Sequence, residues 1–431
     1  MKLVADLQIH SKYSRAVSPQ MVLENLDKWA KIKGINVLGT GDLTHPLWLK
    51  EIKEKLEPAE PGLFKLKKKY KVDSFGQLDG GLEPRFMLTG EISCIYSKGG
   101  KVRRVHHLYL VPDIPTAEKI NTKLSFIGNL KSDGRPILGL DSKKFLEICL
   151  GASPDVMVIP AHAWTPWFSI FGSKSGFDTI EECFDELSKY IYAIETGLSS
   201  DPAMNWRLSM LDKVAIVSNS DSHSLTRIGR EANVFDTELS YYKIIEAIKS
   251  KDPKKFLYTV EFFPEEGKYH YDGHRLCRVS FNPQESKKTN FLCPKCKRQL
   301  TIGVLARVDQ LADRTSGFEL IGAVPYKNII PLDQIIAESL GLGNTGNTGW
   351  PKKVVFEYEK LIKHSGNEFQ VLLEQSKEEL KKATSPQIAE GIIKVREKRV
   401  HIEPGYDGEY GKIKIFTADE RESASNQAVL L

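Results

Sequence analysis

Short strand-like apolar runs, each followed at once by histidines or carboxylates, constrain this chain more than any other feature. Lys2 to Ile9 ends at His10, Ile35 to Leu38 leads to Asp42 and His45, Val156 to Ile159 leads to His162, and Val214 to Ser218 leads to Asp221 and His223. Phe86 to Leu88, Val105 to Val111 and Tyr190 to Ile194 are further strand candidates. Helix-like stretches lie between them, beginning with Ser18 to Ile32, which Ser18-Pro19 opens and Lys33-Gly34 closes. This is a β/α rhythm, and barrels and open α/β sheets carry their chemistry at the carboxyl ends of strands. Ten histidines scattered at random would not fall so regularly just past a strand.

A chain of 431 residues, 41% of them hydrophobic, buries a large core without disulfides. Its cysteines are unevenly spread: Cys94, Cys149 and Cys183 stand alone, whereas Cys277, Cys293 and Cys296 crowd into one stretch. That spacing reads as metal binding in a reducing compartment. The opening Met-Lys-Leu-Val-Ala-Asp has no secretory pattern, and the longest apolar runs fall far short of the roughly 20 residues that span a bilayer. A soluble, cytoplasmic protein with no membrane partner is expected. The net charge of +5 favours an anionic partner only slightly.

The chemistry-bearing strings are Asp6-Leu-Gln8-Ile-His10, Gly41-Asp42-Leu-Thr-His45, Thr89-Gly-Glu91, His106-His107, Pro160-Ala-His162 and Asp221-Ser-His223. A lone loop histidine is usually an ordinary hydrogen-bonded residue; it is the set that points to a metal centre. Asp221 and His223, two apart, face the same way on an extended segment, as a shared ion requires. Imidazole with carboxylate suits zinc, manganese or iron, and a carboxylate such as Glu91 can bridge two ions.

Past residue 263 the rhythm breaks. His274-x2-Cys277, then Cys293-Pro-Lys-Cys296, has the spacing of a closed tetrahedral zinc site that holds structure, with His270 as an alternative fourth ligand. Four segments are expected: 1–263, 264–303 around the cysteines, 304–418 mixed and partly helical, and a flexible tail at 419–431. Within the third, Gly341 to Gly349 reads as a flexible loop, Glu357 to Leu380 as an amphipathic helix and Gly405 to Phe416 as a turn and strand.

The order of a His-ending first strand, Asp-x-x-His, isolated Glu, His-Leu-x-Leu, lone His and Asp-x-His resembles the polymerase and histidinol phosphatase (PHP) phosphoesterases. The resemblance implies a distorted (β/α)7 barrel holding up to three metal ions. His10, Glu91 and Asp221 would share one, Glu91 would bridge to a second on His107 and His162, and His45 with His223 would hold a third. His10, Glu91 and Asp221 are then the catalytic set. The family's first motif reads His-x-His where this chain has Gln8, so either the Gln8 oxygen ligates or Asp6 compensates. His106 is the alternative to His107, which is preferred because it directly precedes Leu-Tyr-Leu.

Tyr269-His-Tyr-Asp-Gly-His-Arg275, the cysteine knot, Ser11-Lys-Tyr-Ser-Arg-Ala16 and Ile402-Glu-Pro-Gly-Tyr-Asp-Gly-Glu-Tyr-Gly411 are similar to the endonuclease Q branch of that family, from residue 1 to about 415. This implies a DNA-repair nuclease that cuts 5′ of uracil, hypoxanthine, xanthine or an abasic site. Its cofactors would be divalent ions, with zinc in the barrel, magnesium or manganese for activity, and one structural zinc; its partner would be DNA containing deaminated bases. Lys12, Arg15, Arg227 and Arg230 either hold phosphates or form surface salt bridges. Trp164, Trp167 and Phe168 either meet an extruded base or belong to the core. Residues 427–431 carry a weak likeness to a sliding-clamp peptide and lack its aromatic pair. Two other functions share the metal ligands: a small-molecule phosphomonoesterase of the histidinol phosphatase type, and a non-catalytic DNA-binding module that metals only stabilise.

Overall fold

The computed structural model describes residues 1–342, 349–417 and 420. Among them, one mixed sheet runs through Tyr326–Asn328, Phe256–Glu261, Ala232–Asp236, Lys2–Asp6, Val37–Gly39, Arg85–Lys98, Phe64–Leu66 and Leu56–Pro58. The long Arg85–Lys98 strand also pairs antiparallel with Lys101–Val111, which pairs in turn with Met157–Pro160. A separate parallel ladder joins Ala193–Glu195 to Ala215–Val217. Backbone bonds past the strand ends tie this ladder in on both sides: Ala163 N–H donates to Glu195 O (2.9 Å) and His10 N–H to Ser222 O (2.9 Å).

Side-chain alternation divides the apolar residues into two layers. Leu3, Ala5, Leu7, Met87, Leu108 and Leu110 join one buried cluster. Their strand neighbours Val4, Phe86, Leu88 and Tyr109 join another, which includes Leu26, Ala30, Ile120 and Phe145 of the surrounding helices. Each fully buried leucine contributes roughly 1.5–3 kcal/mol, so a strand slipped by one residue would exchange both layers at large cost.

The first helix is Leu23–Lys33, shorter at its start than Ser18-Pro19 predicts. Residues 18–22 form a turn instead, because Ser18 N–H donates to His223 O (2.9 Å) and is held on the loop beside the candidate site. The helix stops as expected at Gly34, whose φ of 90° suits glycine and whose N–H bonds to Ala30 O. Any Cβ there would meet Asn367 Oδ1 at 2.4 Å, so the same residue lets the C-terminal segment approach.

That segment is helical, with Leu332–Ser339, Lys352–Ser365, Lys377–Ala383 and Pro386–Arg396 packed together. The single helix expected over 357–380 is broken. Lys352–Ser365 ends at Gly366, a five-residue π turn covers Gln370–Glu374, and a Ser376/Glu379 capping box starts the next helix. Gly366 and the Ser-x-x-Glu signal were both present in the sequence and outweigh the amphipathic pattern. The cysteine segment is a small hairpin, Asp272–His274 with Val279–Phe281, followed by the helix Pro283–Lys288. The glycine-rich stretch at 343–348 and the tail from 418 on, Glu420 apart, lie outside the described residues, and the clamp-like 427–431 falls there too. Among the described residues no helix is long and apolar enough to cross a membrane.

Candidate metal centre

Glu91 is the buried hub of the candidate site. Its strand turns it toward the same face as Leu108, its cross-strand partner, and His106 lies two residues along on that face. Glu91 Oε1 stands 2.7 Å from His106 Nδ1, 3.4 Å from His162 Nε2 and 3.5 Å from Arg135 Nη1. Its other oxygen accepts from Gln8 Nε2 at 2.9 Å and lies 3.1 Å from His10 Nε2. Burial alone would raise the Glu91 carboxyl, but Arg135, His106 and His10 together hold it well below the usual carboxylate range.

His10 links this hub to Asp221. Its Nε2 lies 3.0 Å from Asp221 Oδ1 yet makes a well-formed hydrogen bond to neither carboxylate, and Asp221 Oδ1 and Gln8 Oε1 are likewise buried without a partner. Unpaired acceptors facing an imidazole nitrogen suit a cation, so the donor set fits divalent metal. Asp42 orients the ring from behind, its Oδ1 2.9 Å from His10 Nδ1 and its Oδ2 accepting from Ser11 N–H at 2.7 Å. Burial opposes charge on His10, but Asp42, Asp221 and Glu91 outweigh it and raise its pKa well above the ordinary value. His223 Nδ1–H donates to Asp221 O (2.8 Å), which leaves Nε2 for a ligand.

Among the described residues three groups of His, Cys, Asp and Glu hold ligand atoms within 4.8 Å of one another: His10, Asp221 and His223; Glu91, His106 and His162; and His274, Cys277, Cys293 and Cys296. Asp42, His162 and Asp221 all have positive φ, at 49°, 30° and 45°. Strain of this kind collects at functional sites. His162 is further fixed by Glu195, which accepts its backbone N–H at 2.8 Å and whose carboxyl burial pushes up to about 8. Gly197, at φ 56°, passes so close that a Cβ would meet His162 Cβ at 2.3 Å.

Several expectations are corrected. His107 points away from the hub: its Nε2 lies 2.8 Å from Ser142 Oγ, its ring packs on Phe145 and Phe184, and burial drives its pKa down to about 3. Leu108 and Leu110 face inward, so alternation turns His106 in and His107 out. Asp6 does not compensate for Gln8. It accepts the backbone N–H groups of Ser220 (3.0 Å) and Gly229 (2.9 Å), bracing both ends of the loop that carries Asp221. Its strand ends there, which lets Gln8 turn toward Glu91. His45 joins none of the three groups; its ring stacks on Tyr13 at 4.3 Å.

Of the proposed phosphate and base contacts, Trp164 is core, 1% exposed with Nε1 donating to Asn205 Oδ1. Arg227 is buried against Asp333 (3.0 Å), Arg230 donates to Ser220 O (3.0 Å), and Lys12 pairs with Glu51 (2.8 Å). Arg15 stays exposed, and Phe168 lies 4.9 Å from the His106 ring. Asp42 stands in the chemistry-bearing string Gly41-Asp42-Leu-Thr-His45 but had no ligand role assigned, and Glu195, just past the Tyr190 to Ile194 run, carried no expectation. Arg135 gave no signal, because only the fold brings its loop to Glu91.

In the cysteine group the donors are one nitrogen and three sulfurs, with His274 Nδ1 3.4 Å from Cys296 Sγ. Burial raises the Cys293 thiol, but backbone N–H groups of Cys296 and Lys295 outweigh it and bring it down to about 6. A thiol so lowered suits a closed zinc site.

Residues 331–399 match the family model described as the MJ0043 C-terminal domain. The uncharacterized protein MJ0043 of Methanocaldococcus jannaschii is 34% identical over 260 residues, which takes in 58% of this chain and only 31% of that relative. The uncharacterized protein YqxK of Bacillus subtilis is 30% identical over 96% of this chain and 99% of its own. Among solved structures, the lesion-specific endonuclease PfuEndoQ of Pyrococcus furiosus superposes at a TM-score of 0.82 and 29% identity, covering 98% of this chain and 99% of that one. An endonuclease Q in complex with a 27-mer duplex, with an abasic lesion at its active site, superposes at 0.82 and 30% identity over 97% and 98%. With near-complete coverage in both directions and one shared backbone, this chain belongs to the endonuclease Q family.

Proposed function

We propose that this protein is a metal-dependent DNA-repair endonuclease that hydrolyses the phosphodiester 5′ of deaminated bases or abasic sites, leaving 3′-hydroxyl and 5′-phosphate ends. The observation that carries it is the buried Glu91 carboxylate, flanked by His10 with Asp221 on one side and by His106 with His162 on the other. Family membership and the lesion duplex held by a structural neighbour supply the DNA. Residues 1–263 are read as a distorted PHP barrel, supported by the pairings that link seven strands in a ring through the Ala193–Glu195 ladder. Residues 264–303 are read as a zinc module and 304–418 as a helical domain.

Bound divalent ions would supply a hydroxide at neutral pH and neutralise the charge on phosphorus oxygens. His10, Asp221 and His223 would hold one, and Glu91, Gln8, His106 and His162 the neighbouring position. Asp42 fixes the His10 tautomer so that Nε2 faces the carboxylates, and Arg135, still partly exposed at 27%, offers a guanidinium to the scissile phosphate. Phe168 beside His106, with Trp167, forms the rim where an extruded base is met.

The test is nicking of end-labelled duplexes carrying one uracil, one hypoxanthine or no lesion, with magnesium or manganese, beside Asp221→Ala. A cut immediately 5′ of the lesion, absent in the variant, is expected. No cut with any metal, alongside turnover of a generic phosphomonoester, would make it a small-molecule phosphatase.

A further inference from the structure

The cysteine module carries a side chain that folding does not explain. Leu276 is 81% exposed, between His274 and Cys277 on the 3-10 turn Arg275–Cys277. The turn that carries it is held by backbone pairing and by a side-chain cap. His274 is paired with Val279 across the hairpin, Arg278 N–H bonds back to Arg275 O (2.9 Å), and Arg275 N–H donates to Asp407 Oδ2 (2.6 Å). Candidate metal ligands stand on both sides of it. A leucine held out rigidly into solvent gives up apolar burial while keeping none of the freedom that a loop side chain retains.

Its surroundings are cationic. Between residues 275 and 298 seven side chains are Lys or Arg, all of those residues are exposed, and Glu285 is the one acid of that stretch; from outside it, Asp407 and Glu409 (3.9 Å from Arg275 Nε) and Asp309 (3.7 Å from Lys287 Nζ) offset part of that charge. Arg275 and Arg278 flank the leucine directly. An apolar point inside a basic rim suits a polyanion with an apolar interior, and a nucleic acid duplex, with phosphates outside and stacked bases within, has that make-up. The module also borders the candidate site. Tyr269 packs edge-on against Trp167 at 5.5 Å, and the neighbouring Phe168 lies 4.9 Å from His106.

We infer that Leu276 is an intercalating wedge: it enters the duplex beside the lesion and fills the gap left in the stack, while Arg275 and Arg278 grip the adjoining phosphates. This rests on the endonuclease reading above. Extruding a base breaks pairing and stacking, and an apolar group in the vacated space prevents its return. Rigid mounting on a zinc-ligating turn makes insertion cheaper, since little freedom remains to be lost.

The test compares wild type, Leu276→Ala and Leu276→Met on a duplex with one uracil next to a 2-aminopurine, and on a second duplex whose pairs around the uracil are already unpaired. Zinc content and melting check that the turn is intact. On mixing, wild type should raise 2-aminopurine fluorescence as the stack opens, Leu276→Ala should lose most of that rise, and Leu276→Met should restore it. Nicking of the paired duplex should slow by about tenfold in Leu276→Ala, with the defect relieved on the unpaired one. Equal losses on both duplexes, or none on either, would overturn the wedge. The fluorescence arm needs no cutting, so a wild type that opens the stack through Leu276 yet cuts nothing would sink the proposed reaction and leave the wedge standing.

Discussion

His106 and His107 are adjacent, yet the strand gives them opposite environments. His106 Nδ1 reaches Glu91 at 2.7 Å, whereas the His107 ring lies among Phe145, Phe184 and the Ser142 hydroxyl. Two substitutions separate their roles. His106→Ala should lose divalent metal by elemental analysis and reduce nicking at least about 100-fold, since even residues that only orient ligands cost 10–100-fold. His107→Ala should keep its metals but lose about 1–3 kcal/mol in chemical denaturation, because a ring packed on Phe145 and Phe184 leaves the core together with its hydrogen bond to Ser142 Oγ, which keeps Tyr96 as its other partner. Exchanged results would mean that Leu108 and Leu110 do not face inward. Alternation in the sequence does not choose between them, because His106-x-Leu108-x-Leu110 and His107-x-Tyr109-x-Val111 are both apolar rows, and adjacency to Leu-Tyr-Leu favoured the neighbour that faces away. Gln8 and Glu91 could be named from sequence too, but their hydrogen bond depends on a strand ending at Asp6, which no local signal marked.

The loop between Ala215–Val217 and Ala232–Asp236 carries Asp221 and His223, and several elements hold it. Asp6 accepts backbone N–H groups at both of its ends, Arg230 donates to Ser220 O, and Arg227 pairs with Asp333 at the start of the helix Leu332–Ser339. The arginines read as phosphate contacts thus mostly fasten the loop. With Asp333 fully buried, Arg227→Ala takes away the guanidinium that its carboxylate pairs with and should cost about 3–5 kcal/mol by thermal or urea unfolding. Replacing both partners with apolar residues, Arg227→Met with Asp333→Leu, should recover much of that loss. An Arg227→Ala protein as stable as wild type would show that the pair contributes nothing. The helices around this loop were legible where caps and periodicity agreed, as at Gly34. The partner of Arg227 was not, because it lies 106 residues away in sequence.

The molecule's apolar clusters are unequal. Two large ones serve the sheet and its helices, whereas the buried apolar cluster of the cysteine segment consists of Val279, Cys293 and Leu300. So small a cluster offsets little of the chain entropy of its segment, and we propose that an ion on the four-ligand group holds it. Cys293→Ala should therefore bind one zinc fewer, and limited proteolysis read by mass spectrometry should find new cuts within 275–298 while the rest melts as before. Unchanged proteolysis on loss of the metal would refute the structural role. The sequence by itself determined the α/β class, the approximate place of the strands that lead to the candidate site, the spacing of the cysteine cluster, and a candidate set that includes Glu91, His10, His162 and Asp221. Those features rest on local alternation, turns and spacing, which the chain encodes within a few residues. The tertiary structure alone decided which histidine of a pair faces Glu91, that Arg135 reaches it while Asp42 backs His10, and that Trp164 and Arg227 are interior. Each of those depends on which face of a strand or loop meets a distant segment, and burial energy summed over the whole core sets that choice.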